Sequence, residues 1–140
     1  MKRILLLLVV LIVSSCSEDE QMTLDGYTLE TADARAIIAT VENSMSIEYP
    51  NEILKFGMSE IKKIDESYYM VVKSGDYIST TLLKNVGNDK LISVGISCTS
   101  KQCSSSPTGC IPRQDRKSCS KCNHGAGDCV KTVIGGDNQE

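Results

Sequence analysis

Six cysteines crowded into the last third of a 140-residue chain constrain its fold more than any other feature. Cys98, Cys103, Cys110, Cys119, Cys122 and Cys129 lie in a stretch where hydrophobic periodicity stops. Ser104 to Gly109 and Gly125-Ala126-Gly127 are loop sequences that bury little apolar surface. Such a segment needs covalent links to be ordered, and the compartment decides what those links are. The opposite end of the chain supplies the compartment. Lys2 and Arg3 form a short basic region ahead of an unbroken apolar run, Ile4 to Val13. As a helix that run covers roughly 15 Å, about half of a ~30 Å hydrocarbon core. It reads as a signal-peptide core removed on processing, not as a membrane span.

Val13-Ser14-Ser15-Cys16 is similar to the lipobox of bacterial lipoprotein precursors, which are cut just before the cysteine. The resemblance implies that Cys16 becomes the first mature residue, with diacylglycerol on its sulfur and an acyl group on its amine. Each buried methylene then contributes about 0.8 kcal/mol, so several chains hold the protein stably on a membrane. The lipid is covalent, and no dissociable cofactor is expected. Ser17-Glu18-Asp19-Glu20 resembles the acidic export signal with which some Gram-negative lineages display lipoproteins. The implied location is the bacterial outer membrane, lipid-anchored and facing the cell surface. The alternative is a solvated acidic tether to a domain on the periplasmic face.

Loss of Lys2 and Arg3 on cleavage lowers the basic count from 15 to 13 against 18 acidic residues. The mature chain is thus mildly acidic, which argues against nucleic acid as a partner. With no Trp and one Phe, Phe56, the mature chain builds only a modest core and needs staples. Assigning Cys16 to lipid leaves six cysteines, an even number in an oxidising compartment. Three disulfides follow, with fifteen pairings open.

Ser17 to Gly26 reads as tether. A helix is expected from Thr31, as N-cap, to about Ser46, with Asp33 in its first turn. Ala34, Ile37, Ile38, Val41 and Met45 form its apolar stripe, with Arg35, Glu42 and Asn43 on the opposite face. Tyr49-Pro50 ends it. Four strands follow: one through Leu54, Phe56 and Met58 with a bulge or bend at Ile61–Ile64, then Tyr68 to Lys73, Tyr77 to Val86, and one through Ile92, Val94, Ile96 and Cys98. The expected fold is α+β, one N-terminal helix on a four-stranded antiparallel sheet followed by an irregular disulfide-rich module. The expected divisions are a signal peptide (1–15), lipidated cysteine and tether (16–28), α+β domain (29–97), cysteine-rich module (98–134), in which Val130 to Ile134 can return as a short strand, and disordered tail (135–140).

No catalytic constellation emerges, so no enzyme is expected. Asp65-Glu66 are adjacent charges in a turn, the glycines are isolated, and the single histidine, His124, has no partner. The module carries Lys101, Arg113, Arg116, Lys117 and Lys121 against Asp115 and Asp128, a basic island on an acidic chain. Arg113, Arg116, Lys117 and Lys121 are the candidate anion-binding residues, for an anionic glycan or a partner protein. An alternative reading takes the C-x-x-C of Cys119 and Cys122 as a thiol-redox pair, or with His124 and Cys129 as a zinc site.

Overall fold

The computed structural model describes residues 21–57, 60–103, 105–122 and 128–135. The expected signal peptide, Cys16 and the acidic stretch through Glu20 lie outside them. Seven strands and one helix follow in the order β1 (Met22–Leu24), β2 (Tyr27–Leu29), α1 (Thr31–Glu48), β3 (Glu60–Ile64), β4 (Ser67–Ser74), β5 (Tyr77–Asn85), β6 (Lys90–Ser100) and β7 (Val130–Val133).

The expectation of a four-stranded antiparallel sheet is overturned. The strands form one seven-stranded mixed sheet in the order β1-β2-β6-β5-β4-β3, with β7 also on β6. β2 runs parallel to β6, through Thr28 opposite Lys90 and Leu29 opposite Leu91. β7 continues the same edge of β6 in the antiparallel sense, from Ile96 opposite Val133 to Thr99 opposite Val130. The ends of the order meet, because β1 lies against β3, and the sheet curls nearly into a barrel. Tyr27 of β2 and Tyr68 of β4 pack ring to ring across this curl, 4.9 Å between centroids.

Several local expectations change with it. Met22–Thr28, expected within the tether, instead forms with Leu29 a hairpin turned by Asp25 and Gly26, both at positive φ. Leu54 and Phe56 lie in an extended segment outside any strand, and Met58 is outside the described residues. Ile61–Ile64, expected as a bend, instead belongs to β3. The physical reason is pairing: Glu60–Ile64 finds a continuous antiparallel partner in Val71–Ser67, so ladder bonds override the slipped hydrophobic alternation.

The helix keeps its expected stripe. Ala34, Ile37, Val41 and Met45 are buried and Ile38 is packed against them. Its cap residue is Glu30, not Thr31, and no side chain caps it. Glu30 pairs instead with Lys90 at 2.7 Å, which ties the helix start to β6. Glu42 does not face solvent. Its carboxylate accepts the Phe56 backbone N–H at 2.9 Å and the Lys55 ammonium at 3.1 Å, pinning the extended segment to α1.

β5 shows why simple alternation misleads here. All seven residues from Tyr77 to Leu83 are buried, because both faces of the central sheet are covered. Tyr77 and Leu83 face the helix core with Met70 and Val72. Between them Ser79 and Thr81 meet Ser97 and Thr99 of β6 in a fully buried hydroxyl cluster. Thr99 donates to Ser79 at 2.8 Å, Thr81 donates to Ser97 at 3.0 Å, and the Ser79 and Ser97 hydroxyls are 2.9 Å apart. Thr132 of β7 donates to the Ser44 hydroxyl of α1 at 3.0 Å, a polar stitch between helix and sheet. Small hydroxyls that satisfy one another avoid the cost of unpaired buried groups.

The opposite face carries the cysteine-rich module. Three disulfides join Cys98 to Cys119, Cys103 to Cys122 and Cys110 to Cys129, so each of the first three cysteines bonds the one three places on. Their sulfurs pack on Val71 and Ile78, while Ile111 covers Tyr69, Leu82 and Ile96. Each bridge closes a loop of about twenty residues, worth roughly 3 kcal/mol in a chain-entropy account. The molecule is therefore layered as helix, sheet and cystine module, and β7 returns from the module into the sheet.

Candidate functional site

β6 carries one glycine in its middle, Gly95, and that residue shapes the main cleft. Ser97 pairs with Thr81, and Ser93 with Leu83, so Val94, Gly95 and Ile96 together oppose Leu82 alone. The bulge places Gly95 at φ +90°, a conformation that favours glycine. Its N–H donates to Ser93 Oγ at 3.1 Å, and its carbonyl accepts Ile134 N–H at 3.0 Å.

The bulge coincides with a gap in the sheet. Pairing with β2 stops at Leu91 and pairing with β7 starts at Ile96. Among the described residues no strand lies against this edge of β6 between those points. A cleft of about 550 Å³ opens there, between the gap, helix α1 and the end of β7. Asp33, Ala36 and Thr40 of α1 form one wall, and Ile92, Ser93 and Val94 of β6 the floor. Val133, Ile134 and Gly135 close one end, and Val133 is 70% exposed. Lys84 of β5 and Arg116 also line it.

Arg116 arrives on a hairpin of the module. Pro112 and Cys119 form its bridge, Arg113 N–H donates to Ser118 O, and Arg116 sits at φ +58°. The adjacent Lys117 offers its carbonyl to Lys131 Nζ at 3.3 Å, which ties the hairpin to β7. Among the described residues none of Lys84, Arg116, Lys117 and Lys131 forms an ion pair, whereas Lys55, Lys62, Lys90 and Lys101 all do. Among the described residues Asp33 is the one carboxylate in the lining.

The four cations singled out in the sequence are thus divided. Arg116 lines the cleft, whereas Lys117, its neighbour in the chain, does not. Arg113 lines a second groove of about 500 Å³ with Asp65 and Glu66, where Gln114 donates to Ser67 at 2.7 Å and to Tyr69 at 3.3 Å. Lys121 is exposed and lines neither. Lys84, which the sequence reading did not single out, lines the cleft with Arg116. The signal that was present is Gly95, since an isolated glycine inside a strand pattern marks a bulge.

The alternative Cys119, Cys122, His124 and Cys129 set is not gathered. Cys119 and Cys122 belong to different bridges, Cys129 is bonded to Cys110, and His124 lies outside the described residues. The sulfurs of Cys103, Cys110 and Cys129 do lie within 4.8 Å of one another. A metal ion there requires thiolates, hence opening of the Cys103–Cys122 and Cys110–Cys129 bridges first.

The fold and site define a disulfide-capped, curled mixed-sheet domain with a cation-lined cleft at a break in the sheet. Comparison with protein-family models, with curated proteins and with solved structures returned no match.

Proposed function

We propose that this protein is a lipid-anchored envelope lipoprotein whose disulfide-stapled domain binds an anionic partner and performs no catalysis. The observation that carries the binding role is the cleft at the β6 bulge, with Lys84 and Arg116 unpaired along it. Cations with no internal partner leave their field free for a ligand, and a low-dielectric wall focuses it. Among the described residues the lining offers the hydroxyls of Thr40 and Ser93, with no histidine, cysteine or second carboxylate beside them.

The lipobox ending at Cys16 supports the anchor, and three disulfides suit an oxidising envelope. The Ser17–Glu20 acidic stretch supports display at the cell surface over the periplasmic face. Partners are therefore the membrane, through the lipid, and an anionic glycan or protein, through the cleft; the acidic net charge disfavours nucleic acid. The test is expression of the full chain in a Gram-negative host, with mass spectrometry of its N-terminal peptide and protease treatment of intact cells. Diacylglycerol on Cys16 and cleavage by external protease are the expected results. An unmodified Cys16 removes the anchor, and full protease protection moves the domain to the periplasmic face.

A further inference from the structure

The cleft is more discriminating than a patch of positive charge. Asp89 O bonds Thr28 N–H of β2 at 2.7 Å, and Gly95 O bonds Ile134 N–H next to β7. Both carbonyls point to the same edge of β6, and alternation along a strand puts the Ser93 N–H and C=O on that edge as well. Ser93 therefore meets the gap with main-chain groups that neither β2 nor β7 takes up. At about 3.3 Å per residue, the stretch from Leu91 to Gly95, whose carbonyl Ile134 takes, leaves an opening of roughly 13 Å, room for about three extended residues.

Side chains around the opening match the same kind of ligand. Ile92, Val94 and Val133 give it apolar ground, and Lys84 and Arg116 give it positive charge. Asp33 adds a carboxylate acceptor, which a polyanion lacking N–H donors would meet as repulsion. No aromatic ring is among the described residues lining it, so a stacking platform for a sugar ring is missing. A strand edge, mixed apolar floor, two cations and one acceptor together fit a peptide.

We propose that the cleft takes an extended acidic peptide segment of a partner protein. The segment pairs its main chain with Ser93, turns carboxylates to Lys84 and Arg116 on the module side, and turns its alternate, apolar side chains toward Ala36 and Ile37 of α1. This is strand addition at a sheet edge, with alternate side chains giving specificity. It rests on the binding reading above and names the ligand class for the same site.

The experiment uses the full chain in neutral detergent and a fluorescein-labelled peptide of alternating glutamate and valine. Controls are the same peptide with glutamine for glutamate, and an oligogalacturonate as the anionic glycan. Fluorescence anisotropy is expected to show binding of the acidic peptide that weakens with salt, and a shift of the Ser93 amide resonance. Lys84→Glu and Arg116→Glu should each weaken it about tenfold, since charge reversal replaces attraction by repulsion. Arg113→Glu, in the other groove, should leave it unchanged.

Oligogalacturonate binding that is lost in the same two variants, with no peptide binding, overturns the peptide assignment and leaves the anion-binding function standing. Failure of both probes sinks the two together. Peptide binding indifferent to Lys84→Glu and Arg116→Glu removes the cleft as the site.

Discussion

Gly109 of the cystine module lies tight against the sheet, and replacing it with alanine tests the layered packing directly. A Cβ built on Gly109 falls 2.6 Å from Ile78 Cγ2, 3.3 Å from Cγ1 and 3.5 Å from Cβ. Ile78 has little room to yield. It is 1% exposed, packed among Val71 and the disulfide sulfurs, and β-branched, so χ1 is stiff. Gly109 also has φ +63°, where a non-glycine residue costs about 1–2 kcal/mol. Overpacking adds about 1–3 kcal/mol, and the reduced freedom of unfolded alanine returns about 0.4–1. Gly109→Ala should therefore lower stability by about 2–4 kcal/mol in urea unfolding with disulfides intact. A double-mutant cycle separates the steric part. Ile78→Ala removes both γ carbons, so its cost and that of Gly109→Ala should fall short of additive by about 1–2 kcal/mol. Ile78→Val keeps both, and its cycle should be additive. Additivity in both cycles, or a Gly109→Ala loss below about 1 kcal/mol, would refute the contact, because each magnitude follows from a module seated on Ile78.

Two further expectations concern the helix side. Glu42→Ala should cost about 1.5–3 kcal/mol, the usual range for a hydrogen bond to a charged group, with Glu42→Gln losing less. Hydrogen exchange at the Phe56 amide should quicken in the alanine variant; unchanged protection would mean that Glu42 does not hold that segment. Burial first, and then its hydrogen bond to Glu52, push the Tyr77 phenol up to about 12 from an ordinary 10. The unfolded chain then releases this proton before the native one does, so stability is whole below pH 10 and falls as pH rises toward 12. At about 1.4 kcal/mol per pH unit the loss reaches at most roughly 2–3 kcal/mol. Wild-type protein should lose stability more steeply than Tyr77→Phe across that window, and parallel curves would show that Tyr77 is not the group responsible.

How much could be read in advance differs from element to element. The helix was legible because its stripe, Ala34 through Met45, is a local property of one face packed on one layer. β4, β5 and β6 were legible from β-branched and aromatic runs bounded by turn residues. Met22–Leu29 was not, because three-residue strands leave almost no period and β2 is held by a parallel partner some sixty residues away. The Ile61–Ile64 strand was hidden by a pattern that only its ladder with β4 resolves. At the site, Arg116 and Lys117 were visible as charges, but Lys84 and Lys131 become their neighbours only through the hairpin and β7.

Some properties are carried by the sequence alone, since they depend on composition and short range. These are a basic start and an unbroken apolar run before Cys16, one amphipathic helix, an even set of six cysteines beyond it and an acidic chain with a basic island. Which cysteine bonds which, which strand lies beside which, and where the sheet breaks were decided by tertiary structure. Those choices are made by contacts between residues far apart, where covering both faces of β5 and relieving β6 at Gly95 outweigh any local preference. The cleft exists only at that level: β2 stops, β7 starts, and the bulge between them brings Ser93 into one lining with Lys84 and Arg116.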